Sequence, residues 1–131
     1  GQLECEHTIF DSPLWLMDAE IGKCGFDNAI VRHDLIVNDA SFGGFSAKRG
    51  EFGKNLTAEN LSVDGGFSLQ SAQMAGFVEF PEATITGDVN LWSGTFRRAV
   101  RGQSMQVEGE IDATRITCDS SVSLRDSSIP S

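Results

Sequence analysis

An apolar residue recurs every 10 or 11 residues along almost the whole of this 131-residue chain. We call it position zero of a repeat unit; a second apolar residue follows at +7, position +2 is mostly apolar, and position +5 is mostly Ala or Gly. Offsets of 0, 2, 5 and 7 fit neither a helix nor one continuous strand, and indicate two short inward-facing strand segments separated by corners. The pattern therefore predicts a β-solenoid. Position zero is occupied by Leu3, Leu14, Cys24, Leu35, Phe45, Leu56, Phe67, Val78, Val89, Val100, Ile111 and Val122.

Two inward positions exchange volume along the repeat. The units with a large residue at +5 carry Leu61, Met105 and Ile116 there, and they place Ala58, Gly102 and Ala113 at +2. A close-packed interior of fixed cross-section requires such compensation. We therefore expect +2 and +5 to be neighbours in one narrow core. Glycines at +9 are expected to supply positive φ angles or a close backbone approach at the corners.

The repeat resembles the pentapeptide-repeat family, whose consensus is a small residue, a polar residue, Leu or Phe, and two variable positions. The resemblance covers residues 3–129, and the spacing here alternates between five and six. It implies an all-β fold, a right-handed parallel β-helix with a quadrilateral cross-section and six coils of 21 or 22 residues; a triangular or two-sided solenoid is the alternative. The segments that carry the resemblance are Ala72-Gln-Met74-Ala-Gly76, Ala83-Thr-Ile85-Thr-Gly87 and Gly94-Thr-Phe96.

Length and composition limit the remaining possibilities. We expect one domain over residues 1–131, and the start at Gly1 instead of Met suggests a segment of a longer polypeptide. A net charge of −9 argues against direct nucleic-acid binding, and no apolar run is long enough to predict a membrane span. No signal peptide is visible, and the three widely spaced cysteines, predicted to be free thiols, favour the cytoplasm.

Two surface features are candidate interaction sites. The first is apolar: Ile9 and Ile30 share one outward column, Trp15 and Ile36 share another, and Met17 lies beside Trp15. An apolar patch on a polar rod indicates a covered surface. The second is an acidic column at +4, which we expect to meet a basic protein surface and which faces a neutral-to-basic column across the rod. The acidic column is Asp18, Asp39, Asn60, Glu82, Ser104 and Asp126, and the opposite one is His7, Asn28, Arg49, Ser71, Ser93 and Arg115.

The sequence offers no recognisable catalytic, metal or cofactor motif. His7 and His33 are the two histidines, neither shares a unit with a candidate nucleophile, and no phosphate-binding glycine motif occurs. We therefore predict a non-enzymatic protein-interaction or scaffold module without a cofactor, which binds a partner protein or itself. One alternative is an acidic DNA mimic that binds a topoisomerase such as DNA gyrase, as some pentapeptide-repeat proteins do. Another is a structural protein that assembles end to end.

Overall fold

The structure, a computed structural model, describes residues 2–125, and these form strands, turns and bends without a helix. Most strands have two residues, because the chain turns a corner after each inward-facing pair. The strands are β1 Gln2–Glu4, β2 Ile9–Phe10, β3 Leu14–Trp15, β4 Glu20–Gly25, β5 Ile30–Val31, β6 Leu35–Ile36, β7 Ser41–Ser46, β8 Glu51–Phe52, β9 Leu56–Thr57, β10 Ser62–Val63, β11 Phe67–Ser68, β12 Gln73–Met74, β13 Val78–Glu79, β14 Thr84–Ile85, β15 Val89–Asn90, β16 Thr95–Phe96, β17 Val100–Gln103, β18 Gln106–Val107, β19 Ile111–Asp112, β20 Thr117–Cys118 and β21 Val122–Arg125.

The strands stack in parallel as coils of a solenoid, which confirms the predicted fold class. Coils 1 to 6 comprise residues 3–23, 24–44, 45–66, 67–88, 89–110 and 111–125, and register advances by 21 residues per coil at first and by 22 from coil 3 onwards. Each complete coil has four strand segments, so the rod has four faces, which we number 1 to 4 in chain order. The two predicted stacks of position-zero residues are confirmed, Leu3–Cys24–Phe45–Phe67–Val89–Ile111 on face 1 and Leu14–Leu35–Leu56–Val78–Val100–Val122 on face 3.

Coil length decides whether the corner between faces 4 and 1 interrupts the strand. In the two coils with the shorter corner, β4 and β7 run through it as six-residue strands and join the two faces into one nine-stranded sheet. With one more residue at this corner, at 64–66, the chain bends and separate strands β10 and β11 result. Faces 2 and 3 are independent six-stranded sheets.

The interior is a continuous apolar column. Phe45 and Phe67 stack with ring centroids 4.9 Å apart, and Phe67 meets Phe80 at 5.9 Å. The predicted volume exchange agrees with burial in two of its three units: Ala58 and Leu61 are buried together, as are Gly102 and Met105, whereas Ala113 is exposed and Ile116 half-buried in coil 6. No polar or charged side chain is buried among the described residues. The fold is therefore stabilised by apolar burial and by backbone hydrogen bonds between coils.

The expectation about glycine is only half right. Positive φ angles of 55° to 62° occur at +4 in eleven units, all at residues other than glycine, and the +5 amide closes a turn onto the +2 carbonyl, as from Ala29 N to Phe26 O at 3.0 Å. A positive φ at the third turn residue is the requirement of a type II turn. Among the glycines at +9, a positive φ occurs at Gly65 alone, at 157°. The close-approach expectation is confirmed at Gly65, Gly76, Gly87 and Gly109, where an added Cβ would lie 2.4 to 2.6 Å from backbone atoms of the preceding coil, and it is wrong at Gly44, which has nothing within 4 Å.

Candidate interaction surfaces

The predicted apolar patch lies on faces 2 and 3 of coils 1 and 2. Ile9, Trp15 and Met17 are 53%, 68% and 53% exposed, and Ile30 and Ile36 are half-buried. Ile9 pairs with Ile30 in one ladder, and Trp15 pairs with Ile36 in the next. The predicted register of the first coils is thus confirmed, and two apolar pairs flank one corner of the rod. We call these five residues the apolar patch.

A charged pair sits on the corner that divides the apolar patch. Arg32 Nη1 donates to Asp11 Oδ1 at 2.6 Å, and both side chains are largely exposed. An exposed ion pair contributes little to stability, on the order of 1 kcal/mol or less. The corner therefore carries an exposed ion pair between the two apolar pairs.

Coil 1 has a hydrogen-bonded neighbour on one side only, among the described residues. Strands β1, β2 and β3 pair with β4, β5 and β6, and the opposite edge of each carries no partner strand. The inward side chains of this coil are half-buried for the same reason, and they are Leu3, Phe10, Leu14 and Ile21. The apolar patch is thus continuous with an open strand edge, a feature that favours pairing with another chain.

The acidic column consists of turn residues. Asp18, Asp39 and Glu82 are exposed, with φ angles of 59° to 60°, and Asn60 donates from Nδ2 to Asp39 Oδ1 at 2.9 Å. The left-handed turn conformation orders their backbone, and the backbone N–H of each donates to the next coil. The predicted column is therefore one corner of the rod. Asp126, which was predicted to continue it, lies outside the described residues.

The opposite column occupies the diagonally related corner, with φ angles of 57° to 62°. Arg49 Nε donates to Asn28 Oδ1 at 3.1 Å, which links two coils. His7 is exposed at the same position in coil 1. This corner and the acidic one thus use the same turn, and only their side-chain charges differ.

A third surface was missed in the sequence. The corner between faces 2 and 3 and the column beside it carry five of the ten Lys and Arg residues, which we call the basic corner: Arg32, Lys54, Arg97, Arg98 and Arg101. Arg97, Arg98 and Arg101 form only a short cluster in the sequence, but the columns at +8 and +9 of the repeat place Arg32 and Lys54 on the same corner.

Phe77 organises the C-terminal half of the basic corner. The guanidinium carbons of Arg98 and Arg101 lie 5.7 and 4.7 Å from the centre of its ring. The Phe77 N–H donates to Asn55 Oδ1 at 2.8 Å, and the Asn55 N–H donates to Asp34 Oδ1 at 3.0 Å. Side-chain amide and carboxylate groups therefore hold three successive coils in register at this corner.

Three of the open clefts in the described part of the chain are relevant here. One of about 490 Å³ follows face 1 over small residues such as Gly25, Ser46 and Ser68. Its Asp27 carboxylate already accepts from Ser46 Oγ at 2.5 Å and from the Lys48 N–H at 2.9 Å. The other two flank the basic corner, with volumes of about 430 and 340 Å³.

The thiols are shielded from solvent to different degrees. Burial raises the pKa of Cys24 to about 12, with a smaller contribution from Cys5, and burial followed by the Glu6 charge raises the pKa of Cys5. All three cysteines are free, as predicted. The described residues form no cluster of His, Cys, Asp or Glu suited to a metal ion, and contain no helix that could cross a membrane.

No protein-family model, curated protein or solved structure matches this chain. The β-solenoid thus rests on the strand register described above, and the pentapeptide-repeat resemblance stays a prediction from the sequence.

Proposed function

We propose that the protein is a non-enzymatic interaction module that binds another protein through the apolar patch on coils 1 and 2. The observation that carries the proposal is the exposure of Trp15, Met17 and Ile9 on two adjacent faces of an otherwise polar rod. Large exposed apolar groups are unfavourable in water and are typical of surfaces that a partner covers. Trp and Met are also enriched in protein interfaces.

The same ladders become polar two coils further on, which supports a local function for the patch. The column of Trp15 and Ile36 continues with Thr57, Glu79 and Arg101. The column of Ile9 and Ile30 continues with Glu51, Gln73 and Thr95. A β-solenoid does not need apolar residues at these positions, because they point away from the core in every coil.

The test replaces Trp15 and Ile36 with Asp in one double variant. We expect loss of concentration-dependent association in sedimentation velocity, or of partner capture by the immobilised protein, with far-UV circular dichroism unchanged. Thr57→Asp is the matched control, since it adds a carboxylate on the same ladder outside the patch, and it should behave as wild type. If the double variant associates and captures like wild type, the proposal is wrong.

End-to-end self-assembly is the second candidate, favoured by the edges of β1, β2 and β3 that carry no partner strand within residues 2–125. The charges of the two ends predict the direction of assembly. Residues 2–23 contain five carboxylates and one lysine, a net charge of −4. Residues 89–125 contain four carboxylates and five arginines, a net charge of +1. Like charges disfavour joining two N-terminal ends, so assembly should run head to tail and give open filaments. Filaments in electron micrographs would support this candidate, and a monomer at all concentrations would remove it.

The DNA-mimic hypothesis depends on the acidic column of Asp18, Asp39 and Glu82. The basic corner lies next to the acidic column. The rod is therefore not negatively charged on all sides, whereas a DNA duplex is. A DNA gyrase supercoiling assay tests this prediction directly, with neither inhibition nor protection as the negative result.

A further inference from the structure

We propose that the basic corner binds an acidic peptide segment of the partner protein. The inference rests on the proposed function, because the corner is a continuation of the apolar patch. The partner would place apolar side chains on coils 1 and 2 and a run of Asp or Glu along coils 3 to 5. The charge distribution, the pairing of the cations and the shape of the surface between them support this.

Cationic side chains are concentrated on this corner, although the chain as a whole has a net charge of −9. Half of the Lys and Arg residues lie here, and over coils 3 to 5 Lys54, Arg97, Arg98 and Arg101 outnumber the two carboxylates of Glu51 and Glu79. From Arg32 in coil 2 to Arg97 in coil 5 the stripe spans three coils, or about 14 Å at the usual spacing of parallel strands. That length matches about four or five residues of an extended peptide.

Most of these cations have no carboxylate partner within the described part of the chain. The ion pair between Arg32 and Asp11 is the one found there, and Arg98 and Arg101 instead lie against the ring of Phe77. Four other carboxylates lie on or near this corner, those of Asp34, Glu51, Glu79 and Asp119, and none is within ion-pair distance of a described cation. Guanidinium groups held against a ring remain free to donate two hydrogen bonds to an incoming carboxylate.

The surface between the cationic side chains is recessed into clefts, one of which borders the apolar patch. The cleft of about 430 Å³ is lined by Arg32 and Arg97, with Gly53 and Ala75 between them, Ile30 of the apolar patch on its wall and one carboxylate, that of Glu51. The cleft of about 340 Å³ lies beside Lys54, Gly76, Phe77 and Arg98, and its one carboxylate, Asp34, already accepts from the Asn55 N–H. Small residues at these corner positions leave room for a backbone to lie along the rod. One partner segment can therefore touch Ile30 and the arginines together.

An acidic peptide fits better than a nucleic acid. The acidic column lies along the next corner of the rod, and face 3 between them also carries Glu79. A duplex is wide enough to meet those carboxylates, whose repulsion opposes its binding, whereas a single peptide strand can follow one corner.

The experiment measures the binding of a fluorescein-labelled oligoglutamate peptide by fluorescence anisotropy. We expect saturable binding that weakens as salt concentration rises, and no binding of the matching oligoglutamine peptide. Arg98→Glu with Arg101→Glu should weaken binding at least about tenfold. The matched control, Lys48→Glu with Arg49→Glu, makes the same charge change on a different corner and should change binding less than about twofold. Phe77→Leu keeps every charge and removes the ring, and should weaken binding about threefold.

Several results would overturn the inference. These are absence of oligoglutamate binding by the wild-type protein, equal losses in the two double variants, and tighter binding of a labelled DNA duplex or inorganic polyphosphate than of the peptide. Circular dichroism and thermal unfolding of each variant show whether it is folded, and Phe77→Leu tests the same site if a charge variant fails to fold. Trp15→Ser with Ile36→Ser removes the apolar side chains without adding negative charge beside the corner; it should abolish partner association and leave oligoglutamate binding intact, so failure of this inference and failure of the proposed function give different results.

Discussion

Coil 1 and coil 4 have the same pattern of inward positions and opposite surroundings. In coil 4 the inward residues are fully buried and the outward ones are polar; in coil 1 the inward residues are half-buried and two outward ones are apolar. The inward residues of coil 4 are Phe67, Met74, Val78 and Ile85, with Ser68, Gln73, Glu79 and Thr84 outward. Those of coil 1 are Leu3, Phe10, Leu14 and Ile21, with Glu4, Ile9, Trp15 and Glu20 outward.

Coil 6 shows that the burial of the inward residues and the polarity of the outward residues vary independently. Its inward residues also lose burial, with Ile111 half-buried and Val122 exposed, because it too has a neighbour on one side only within the described residues. Its outward residues are nevertheless polar, as Thr117 and Ser123 illustrate. Position at an end therefore explains the half-buried interior of coil 1 and does not explain Trp15 or Ile9. The apolar exterior is a property of the N-terminal coils themselves.

The largest expected effect compares core phenylalanines of the two coils. Phe67→Ala removes a ring stacked between Phe45 and Phe80, and should lower the free energy of unfolding by about 3–5 kcal/mol. Phe10→Ala in coil 1 removes a half-buried ring that meets Phe26 edge-on, and should cost roughly half as much. Urea denaturation at low protein concentration measures both. Equal losses would mean that coil 1 is packed as well as coil 4, and the comparison would fail.

A smaller effect is expected at the glycines that bring coils close together. In Gly87→Ala the new Cβ would lie 2.6 Å from the Gly65 carbonyl, so the backbone must shift, and we expect a loss of about 1–3 kcal/mol. Gly44→Ala is the matched control in coil 2, because its Cβ would meet nothing within 4 Å. That variant should be neutral or slightly more stable, since alanine restricts the unfolded chain. Thermal unfolding of the two variants measures the difference, and similar Tm values for Gly87→Ala and Gly44→Ala would contradict the close-approach explanation.

The repeat made the interior predictable, because spacing alone determines which residues stack once the coil length is known. The positive φ angles of the residues at +4 were not predictable from the spacing. Five of the eleven are Asn, Asp or His, types that tolerate positive φ, but Arg49 and Glu82 adopt it as well. There the turn between two stacked strands imposes the conformation, and the side chain gives no local signal.

The apolar patch and the basic corner also differ in how far the sequence predicts them. The apolar patch could be read from the sequence because Trp15 and Ile36 are unusual at outward positions. The basic corner could not be read from local clusters, since Arg32, Lys54 and Arg97 are separated by more than 20 residues each and meet only through coil stacking. The corner becomes visible in the sequence only when the coils are aligned at 21 or 22 residues, because the corner residues then form one column.

The smallest effect concerns the pH dependence of stability and compares thiols of coils 1 and 2. Burial raises the pKa of Cys24 from 9.0 to about 12, so the folded protein holds this proton in a pH range where the unfolded chain releases it. The stabilisation is complete below pH 9 and is lost as pH rises towards 12, by about 1 kcal/mol at pH 10. Cys24→Val, which has an apolar side chain about one methyl group larger and no proton to release, should abolish this part of the decline between pH 7 and 10. Cys5→Val should change the decline less, because Cys5 is only half-buried. Urea denaturation at the two pH values measures each loss, and an unchanged decline in Cys24→Val would show that coil 2 does not shield this thiol.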